Sequence, residues 1–114
     1  MSREVIDAMF DRGVFMAPEE EMLYRVEDGF IAEIPQSGER IEGREAMVEL
    51  QRTFPEPPSV ELRRVSGEGD HWAVETVQSY VGDGDYHVCV LIEFRDGKIA
   101  RETRYYGKPF TADR

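Results

Sequence analysis

The hydrophobic period of this chain changes at a proline-rich segment, residues 55–58, and this change limits the possible folds more than any other feature. Before the segment, apolar residues recur at helical spacing, as Met47, Leu50 and Phe54 do within residues 44–54. After it, apolar and polar residues alternate with a period of two, in runs at 60–66, 72–81, 86–95 and 98–106. The sequence therefore predicts an α+β fold, with helices first and an antiparallel sheet after them.

Turn sequences and helix signals complete the predicted order of elements. Turns rich in Gly and Asp at 67–70, 82–85 and 96–97 suit hairpins between the four strands. In the first half we expect a helix from Ser2, a second helix from Ala17-Pro18, short strands at 30–35 and near Ile41, and a helix over 44–54. The second helix is expected to bury Met22, Leu23 and Val26, while its acidic residues 19–21 face solvent.

Size and charge exclude several classes of function. The chain has 114 residues, which fits a single domain over 1–114, and its formal net charge is −10. Such a surface repels phosphate groups, so neither nucleic acid nor a membrane is expected as a partner. No apolar stretch is long enough to span a membrane and no secretory signal is recognisable, which favours a cytoplasmic protein. Cys89 is the single cysteine and the two histidines lack metal-binding spacing, so no metal or other cofactor is expected.

Three segments resemble a known family. They are 35–44 (PQSGERIEGR), 64–72 (RVSGEGDHW) and 93–103 (EFRDGKIARET), and they are similar to SnoaL-like members of the nuclear transport factor 2-like superfamily. The resemblance covers roughly residues 23–110. It implies a cone, in which a curved mixed β-sheet packs against N-terminal helices around an internal pocket, and which is often dimeric through the outer face of the sheet. Relatives include polyketide cyclases, ketosteroid isomerases, epoxide hydrolases and dehydratases, as well as proteins without catalytic activity.

Alternation along the strands predicts which side chains face the pocket. In the run 86–95 one parity is apolar apart from Tyr86, so it is assigned inward, and the family's register extends the assignment to both neighbouring strands. The inward sets are Tyr86, Val88, Val90, Ile92 and Phe94; Trp72, Val74, Thr76, Gln78 and Tyr80; and Ala100, Glu102, Arg104 and Tyr106. The predicted ligand-binding residues are Trp72, Gln78, Tyr86, Val90, Ile92, Phe94, Tyr106 and Ile34. The pocket is expected to open near Gln36 and Phe110.

Glu102 and Arg104 are the candidate catalytic residues. They share one face of a strand, about 6.6 Å apart along it. In one interpretation Glu102 moves a proton in an apolar pocket while Arg104 stabilises a developing enolate or alkoxide. In the other, the two side chains form a structural ion pair that sets the register of the last strand.

Several positions depart from the catalytic patterns of the family. The aspartate base of ketosteroid isomerases corresponds to Ile34, their oxyanion-hole acid to Ile92 and their phenol to a position near Phe10. Many SnoaL-like sequences carry an acidic residue where this chain has Arg104. The resemblance therefore identifies the fold more specifically than the chemistry.

Two classes of function follow from these observations. The first is a domain that binds a small lipophilic molecule and acts as a cofactor-independent cyclase, isomerase or dehydratase through Glu102 and Arg104. The alternative is a ligand-binding or accessory protein without catalysis, in which the cavity is vestigial. In both classes a homodimer is expected through an outer sheet face that carries Ala73, Val77, Cys89, Leu91 and Tyr105.

Overall fold

The structure of the protein is a computed structural model that describes residues 2–54 and 56–108. The helices are α1 (Ser2–Phe10), α2 (Pro18–Glu21) and α3 (Arg44–Gln51), with a 3-10 helix at Met22–Tyr24 directly after α2. The strands are β1 (Gly13–Val14), β2 (Ile31–Ile34), β3 (Glu39–Glu42), β4 (Ser59–Glu68), β5 (His71–Tyr80), β6 (Gly84–Arg95) and β7 (Lys98–Gly107). All four strands predicted after the proline-rich segment are present, close to their expected ends.

The strands form one open, mixed sheet of seven strands in the order β1-β4-β5-β6-β7-β2-β3. Strands β2 and β7 run parallel, whereas the other neighbouring pairs are antiparallel. The turn at Asp96-Gly97 has φ of 54° and 80°, the conformation of a type I′ hairpin turn, and joins β6 to β7. The α+β cone with a curved mixed sheet, expected from the sequence, is confirmed.

Two register shifts help to curve the sheet. On β4 the extra residue is Arg63, since Leu62 pairs with Thr76 and Arg64 with Glu75. On β7 the extra residue is Ala100, since Arg101 pairs with Glu93 and Ile99 with Phe94. Such bulges bend a strand and increase its twist, which gives the sheet a concave face. The buried core combines residues of this face with residues of α1 and α3, among them Ile6, Met9, Phe10, Met47, Val74, Val90 and Ile92.

Burial along the strands follows the inward parity assigned from the sequence. On β6, Val88, Val90, Ile92 and Phe94 are buried, whereas His87, Leu91 and Glu93 are exposed. Opposite them on β5, Trp72 pairs with Ile92 and Gln78 with Tyr86, so the inward residues of neighbouring strands lie side by side. On β7, Glu102 and Arg104 are buried as assigned. The alternation fails at the start of this strand, where Ile99 is completely buried and Ala100, assigned inward, is half-buried, because the register shift pairs Phe94 with Ile99.

The segment around α2 differs from its prediction. Leu23, expected in the core, is 62% exposed, whereas Glu21, expected in solvent, and Arg25 are buried. Leu23 turns outward because α2 is followed at Met22 by a 3-10 helix, which advances about 120° per residue instead of 100°. Glu21 is tolerated in the core because its carboxylate pairs with the guanidinium of Arg25 at 2.8 Å.

Two further boundaries also bear on the predictions. Helix α3 ends at Gln51, so residues 52–54 lie beyond it. Phe110, expected at the pocket opening, lies outside the described residues.

Within the described ranges no helix combines the length and the apolar character that a membrane span requires.

Candidate functional site

A cavity of about 650 Å³ lies between the concave sheet face, α3 and the loops beside it. Its wall is mainly apolar, with contributions from the loop before α2, from β2 and from α3. The apolar lining includes Phe15, Met16, Ile34, Met47, Leu50 and Phe54. A lining of this kind suits a small lipophilic molecule.

One side of the cavity is a row of aromatic rings. The ring centroids of Phe54 and Tyr80 are 5.6 Å apart, those of Tyr80 and Tyr86 5.9 Å, and those of Tyr86 and Tyr106 6.2 Å. The two Tyr–Tyr contacts are edge-to-face, with interplanar angles of 80° and 87°. These rings supply flat apolar surface together with phenolic hydroxyls.

Arg104 is the buried cationic residue of the lining, with a side chain 9% exposed. Its Nε and Nη2 donate to Oε1 of Glu102, at 3.1 and 2.7 Å. Its other terminal nitrogen, Nη1, has no hydrogen-bond partner among the residues that the structure describes. Arg104 therefore brings an available, charged N–H donor to a mainly apolar wall.

Glu102 lies beneath this wall and is completely buried. Its second oxygen, Oε2, accepts a hydrogen bond from Nε of Arg25 at 2.9 Å. Burial alone would raise the pKa of Glu102, but the charges and hydrogen bonds of Arg25 and Arg104 outweigh it and bring the pKa to about 2. Glu102 is therefore ionised at neutral pH, and it is held by two guanidinium groups.

Arg25 connects Glu102 to a second acidic residue. Its Nη2 donates to Oε1 of Glu21 at 2.8 Å, and its guanidinium lies 5.2 Å from the centroid of the Phe30 ring. Burial opposes the charge of Arg25, but the two carboxylates overcome that effect and raise its pKa. Gln51 completes the group by donating from Nε2 to the same oxygen of Glu21 at 2.7 Å.

These contacts form one buried polar network, made of Gln51, Glu21, Arg25, Glu102 and Arg104. Its two ends, Gln51 and Arg104, line the cavity, and its middle members lie below the wall. Two arginines and two glutamates give the network a formal charge of zero. The network fixes Arg104 in place without leaving an uncompensated charge in the core.

The structure brings some of the predicted site residues to the cavity. Arg104, Ile34, Tyr86 and Tyr106 line it. Glu102, Trp72, Gln78, Val90, Ile92 and Phe94 are not part of the lining. Val90, Ile92 and Phe94 belong to the buried core together with residues of α1, and the indole Nε1 of Trp72 donates to the carbonyl of Gly69 at 2.9 Å.

Sequence reasoning missed other residues of the site. Tyr80 lines the cavity and belongs to the predicted inward face, although the predicted ligand-binding residues do not include it. Met47 and Gln51 are four residues apart on α3, a spacing that places them on one helix face. The same spacing links Glu21 and Arg25, and it was the available signal for this ion pair.

A SnoaL-like domain model matches residues 10–102. The chain belongs to the SnoaL-like domain family. Among solved structures, this SnoaL-like domain is similar to an NTF2-like protein of unknown function from Burkholderia xenovorans LB400. The identity is 36%, the TM-score 0.82, and the match covers 96% of this chain and 85% of that chain.

Two more solved structures resemble this SnoaL-like domain. A protein from Kribbella flavida, described provisionally as a ketosteroid isomerase, is 27% identical with a TM-score of 0.76, over 96% of this chain and 76% of that chain. A de novo designed protein with a curved β-sheet is 26% identical with a TM-score of 0.70, over 92% of this chain and 84% of that one. A comparison with curated proteins gives no match.

Proposed function

We propose that this SnoaL-like domain binds a neutral, lipophilic small molecule whose carbonyl or similar oxygen accepts a hydrogen bond from Arg104. The observation that carries the proposal is the available Nη1 of a buried guanidinium in the wall of an apolar cavity of about 650 Å³. A hydrogen bond from a charged donor at such a site contributes about 1.5–3 kcal/mol. One relative's description names a ketosteroid, which is a lipophilic molecule with a carbonyl group.

The charge of the polar network favours a neutral ligand. Arg104 is balanced by Glu102 and Arg25 by Glu21, so a charged ligand would lose its hydration without meeting an unbalanced counter-charge. A neutral oxygen avoids that loss and still accepts from Nη1. The acidic chain, with its formal charge of −10, further disfavours anions.

Binding is better supported than proton transfer. A general acid or base needs a pKa near the working pH and must reach the substrate. Glu102 meets neither condition, since its pKa is about 2 and its oxygens are engaged by Arg25 and Arg104 beneath the wall. The carboxylates that do line the cavity, Glu39, Glu56 and Asp83, are exposed.

A pair of isosteric probes tests the proposal. 2-Acetylnaphthalene carries a carbonyl, whereas 2-isopropenylnaphthalene has nearly the same shape but a CH₂ group in place of the oxygen. Titration calorimetry and melting temperatures compare the two probes with the wild-type protein. We expect the ketone to bind roughly tenfold or more tightly than the alkene, although the alkene is the more hydrophobic compound.

A filled cavity provides the control. Leu50 lines the cavity and Glu49 is exposed on another face of α3, so Leu50→Trp and Glu49→Trp insert the same side chain inside and outside the site. Leu50→Trp should abolish binding of the ketone, and Glu49→Trp should leave it unchanged. Absence of binding to the wild type, or equal binding by both variants, would contradict the proposal.

A further inference from the structure

Three buried or half-buried polar side chains form a directional chain of hydrogen bonds on the concave face of β5. The hydroxyl of Tyr80 donates to Oε1 of Gln78 at 2.6 Å, and Nε2 of Gln78 donates to Oγ1 of Thr76 at 3.1 Å. Oγ1 of Thr76 in turn donates to the carbonyl of Val88 at 3.1 Å. Gln78 is completely buried and Thr76 is 2% exposed, so the polar groups of both depend on these contacts.

The direction of this chain is fixed at its buried end. A backbone carbonyl only accepts hydrogen bonds, so the single proton of the Thr76 hydroxyl is committed to Val88. Oγ1 of Thr76 must then accept from the amide of Gln78, because a reversed amide would place two acceptors face to face. With Nε2 turned toward Thr76, Oε1 of Gln78 faces Tyr80 and accepts a hydrogen bond from its hydroxyl.

This chain of hydrogen bonds orients the hydroxyl of Tyr80, which lines the cavity at the end opposite to Thr76. Because its proton is committed to Gln78, its oxygen is left as an acceptor. The phenol of Tyr106 interacts with this hydroxyl at the same cavity, so a ligand donor takes the place of Tyr106 at the Tyr80 oxygen. Arg104, at the same cavity, offers only donors. The site thus presents a fixed acceptor as well as a fixed donor to any molecule that it binds.

We infer that the ligand carries a neutral hydrogen-bond donor, a hydroxyl or an N–H group, that binds the oxygen of Tyr80 while its acceptor oxygen binds Arg104. This inference rests on the proposed function and narrows the ligand class from lipophilic ketones to hydroxylated ones. Gln78 and Thr76 are positioning residues in this arrangement, since they orient the Tyr80 hydroxyl without reaching the ligand.

Hydroxylated probes and their methyl ethers test the inference. The 5-, 6- and 7-hydroxy isomers of 2-acetylnaphthalene place a donor at different distances from the carbonyl, and each methyl ether blocks that donor. We expect at least one hydroxy isomer to bind the wild type roughly tenfold more tightly than its ether. In Tyr80→Phe this preference should disappear, whereas Tyr105→Phe, on the outer face of β7, should retain it.

One further variant tests the buried end of the hydrogen-bond chain. Thr76→Val keeps the shape of the side chain but removes the hydroxyl that orients Gln78, so it should weaken the preference for the hydroxy isomer without abolishing binding of 2-acetylnaphthalene. A preference that is retained in Tyr80→Phe would overturn the assignment of Tyr80, and its loss in Tyr106→Phe instead would assign the acceptor to Tyr106.

Failure of this inference and failure of the proposed function give different results. If no hydroxy isomer binds more tightly than its ether while 2-acetylnaphthalene still binds, the inferred contact between a ligand donor and Tyr80 is wrong. The proposed hydrogen bond from Arg104 to a ligand carbonyl is not affected by that result. If 2-acetylnaphthalene itself does not bind, the proposed function fails, and the inference that rests on it fails as well.

Discussion

The charge of Glu102 decides what the polar network contributes. This carboxyl is completely buried, a condition that by itself favours the protonated form, but each of its oxygens accepts from a guanidinium group. The two guanidinium groups outweigh the effect of burial, so Glu102 is ionised. Its carboxylate holds Arg104 in the orientation that leaves Nη1 available. At the residue scale Glu102 is therefore a positioning group for Arg104.

Substitution of Glu102 should reduce stability in a pH-dependent way. Glu102→Gln leaves two arginines without their shared carboxylate, which we expect to lower the free energy of unfolding by about 3–5 kcal/mol at pH 7. The folded-state pKa of about 2 lies below the ordinary value of 4.5. The contribution of Glu102 is therefore fully present above pH 4.5 and is lost as the pH falls toward 2. In urea unfolding, the difference in the free energy of unfolding between the wild type and Glu102→Gln should become smaller from pH 7 to pH 3.

Glu75→Gln is the matched control for this effect. Glu75 pairs with Arg64 at 2.7 Å, but both side chains are well exposed, so solvent screens the pair. Its loss should change stability far less than the loss of Glu102. If the stability difference between the wild type and Glu102→Gln stays constant between pH 7 and pH 3, the conclusion that Glu102 is ionised with a lowered pKa is wrong.

The residues of the polar network differ in how well the sequence predicts them. Glu102 and Arg104 share a strand face, so alternation alone places them together and inward. Arg25 follows a short helix and a 3-10 turn, where no regular period identifies the buried side. Its partner Glu102 is 77 residues away in sequence, and pairing over such a distance follows from tertiary packing.

At the scale of elements, the hairpin between β4 and β5 depends on a close backbone approach. A Cβ atom at Gly67 would lie 2.3 Å from the carbonyl oxygen of His71, and the residue has φ of +138°. Gly69, two residues later, has φ of +62° but no atom within 4 Å of the corresponding Cβ position. Gly67 is therefore restricted by contact and by conformation, and Gly69 by conformation alone.

Alanine at these two positions should have unequal effects. We expect Gly67→Ala to lower the free energy of unfolding by more than about 2 kcal/mol, since strain and a backbone clash act together. Gly69→Ala should lower it by about 1 kcal/mol, the strain of a left-handed residue. Denaturant unfolding of both variants measures the difference. Equal losses would mean that the backbone contact at Gly67 adds nothing to the conformational strain.

The helices, rather than the strands, decide which part of the concave face becomes the cavity. Alternation correctly predicts that Val90, Ile92 and Phe94 point inward, yet these residues lie in the core together with residues of α1. Tyr80, Tyr86 and Tyr106 share that face and line the cavity instead. The strand pattern contains no information on where a helix packs, so the sequence predicts the face and not the site.

At the scale of the whole molecule, the outer face of the sheet carries the predicted dimer contact. Leu91 and Tyr105 are each 42% exposed there, and Ala73, Val77 and Cys89 are half-buried. We expect sedimentation at micromolar concentration to give about twice the monomer mass of 13.2 kDa. Leu91→Arg should give the monomer mass, because it places a charge on the apolar face.

Leu23→Arg is the control for the dimer. Leu23 is 62% exposed but belongs to the 3-10 helix and not to the outer face of the sheet, so its substitution should not change the mass. A wild-type protein of monomer mass, or a Leu91→Arg protein that remains a dimer, would show that this face is not the interface.

The central claim is that the cavity between sheet and helices binds a neutral lipophilic ketone. Methyl-resolved NMR during titration with 2-acetylnaphthalene tests it most directly, because methyl groups of Ile34, Met47 and Leu50 line the cavity while Leu91 lies on the outer face. We predict saturable shifts for the three cavity residues and none for Leu91. Shifts centred on Leu91, or no saturable shift at the cavity residues, would contradict the claim.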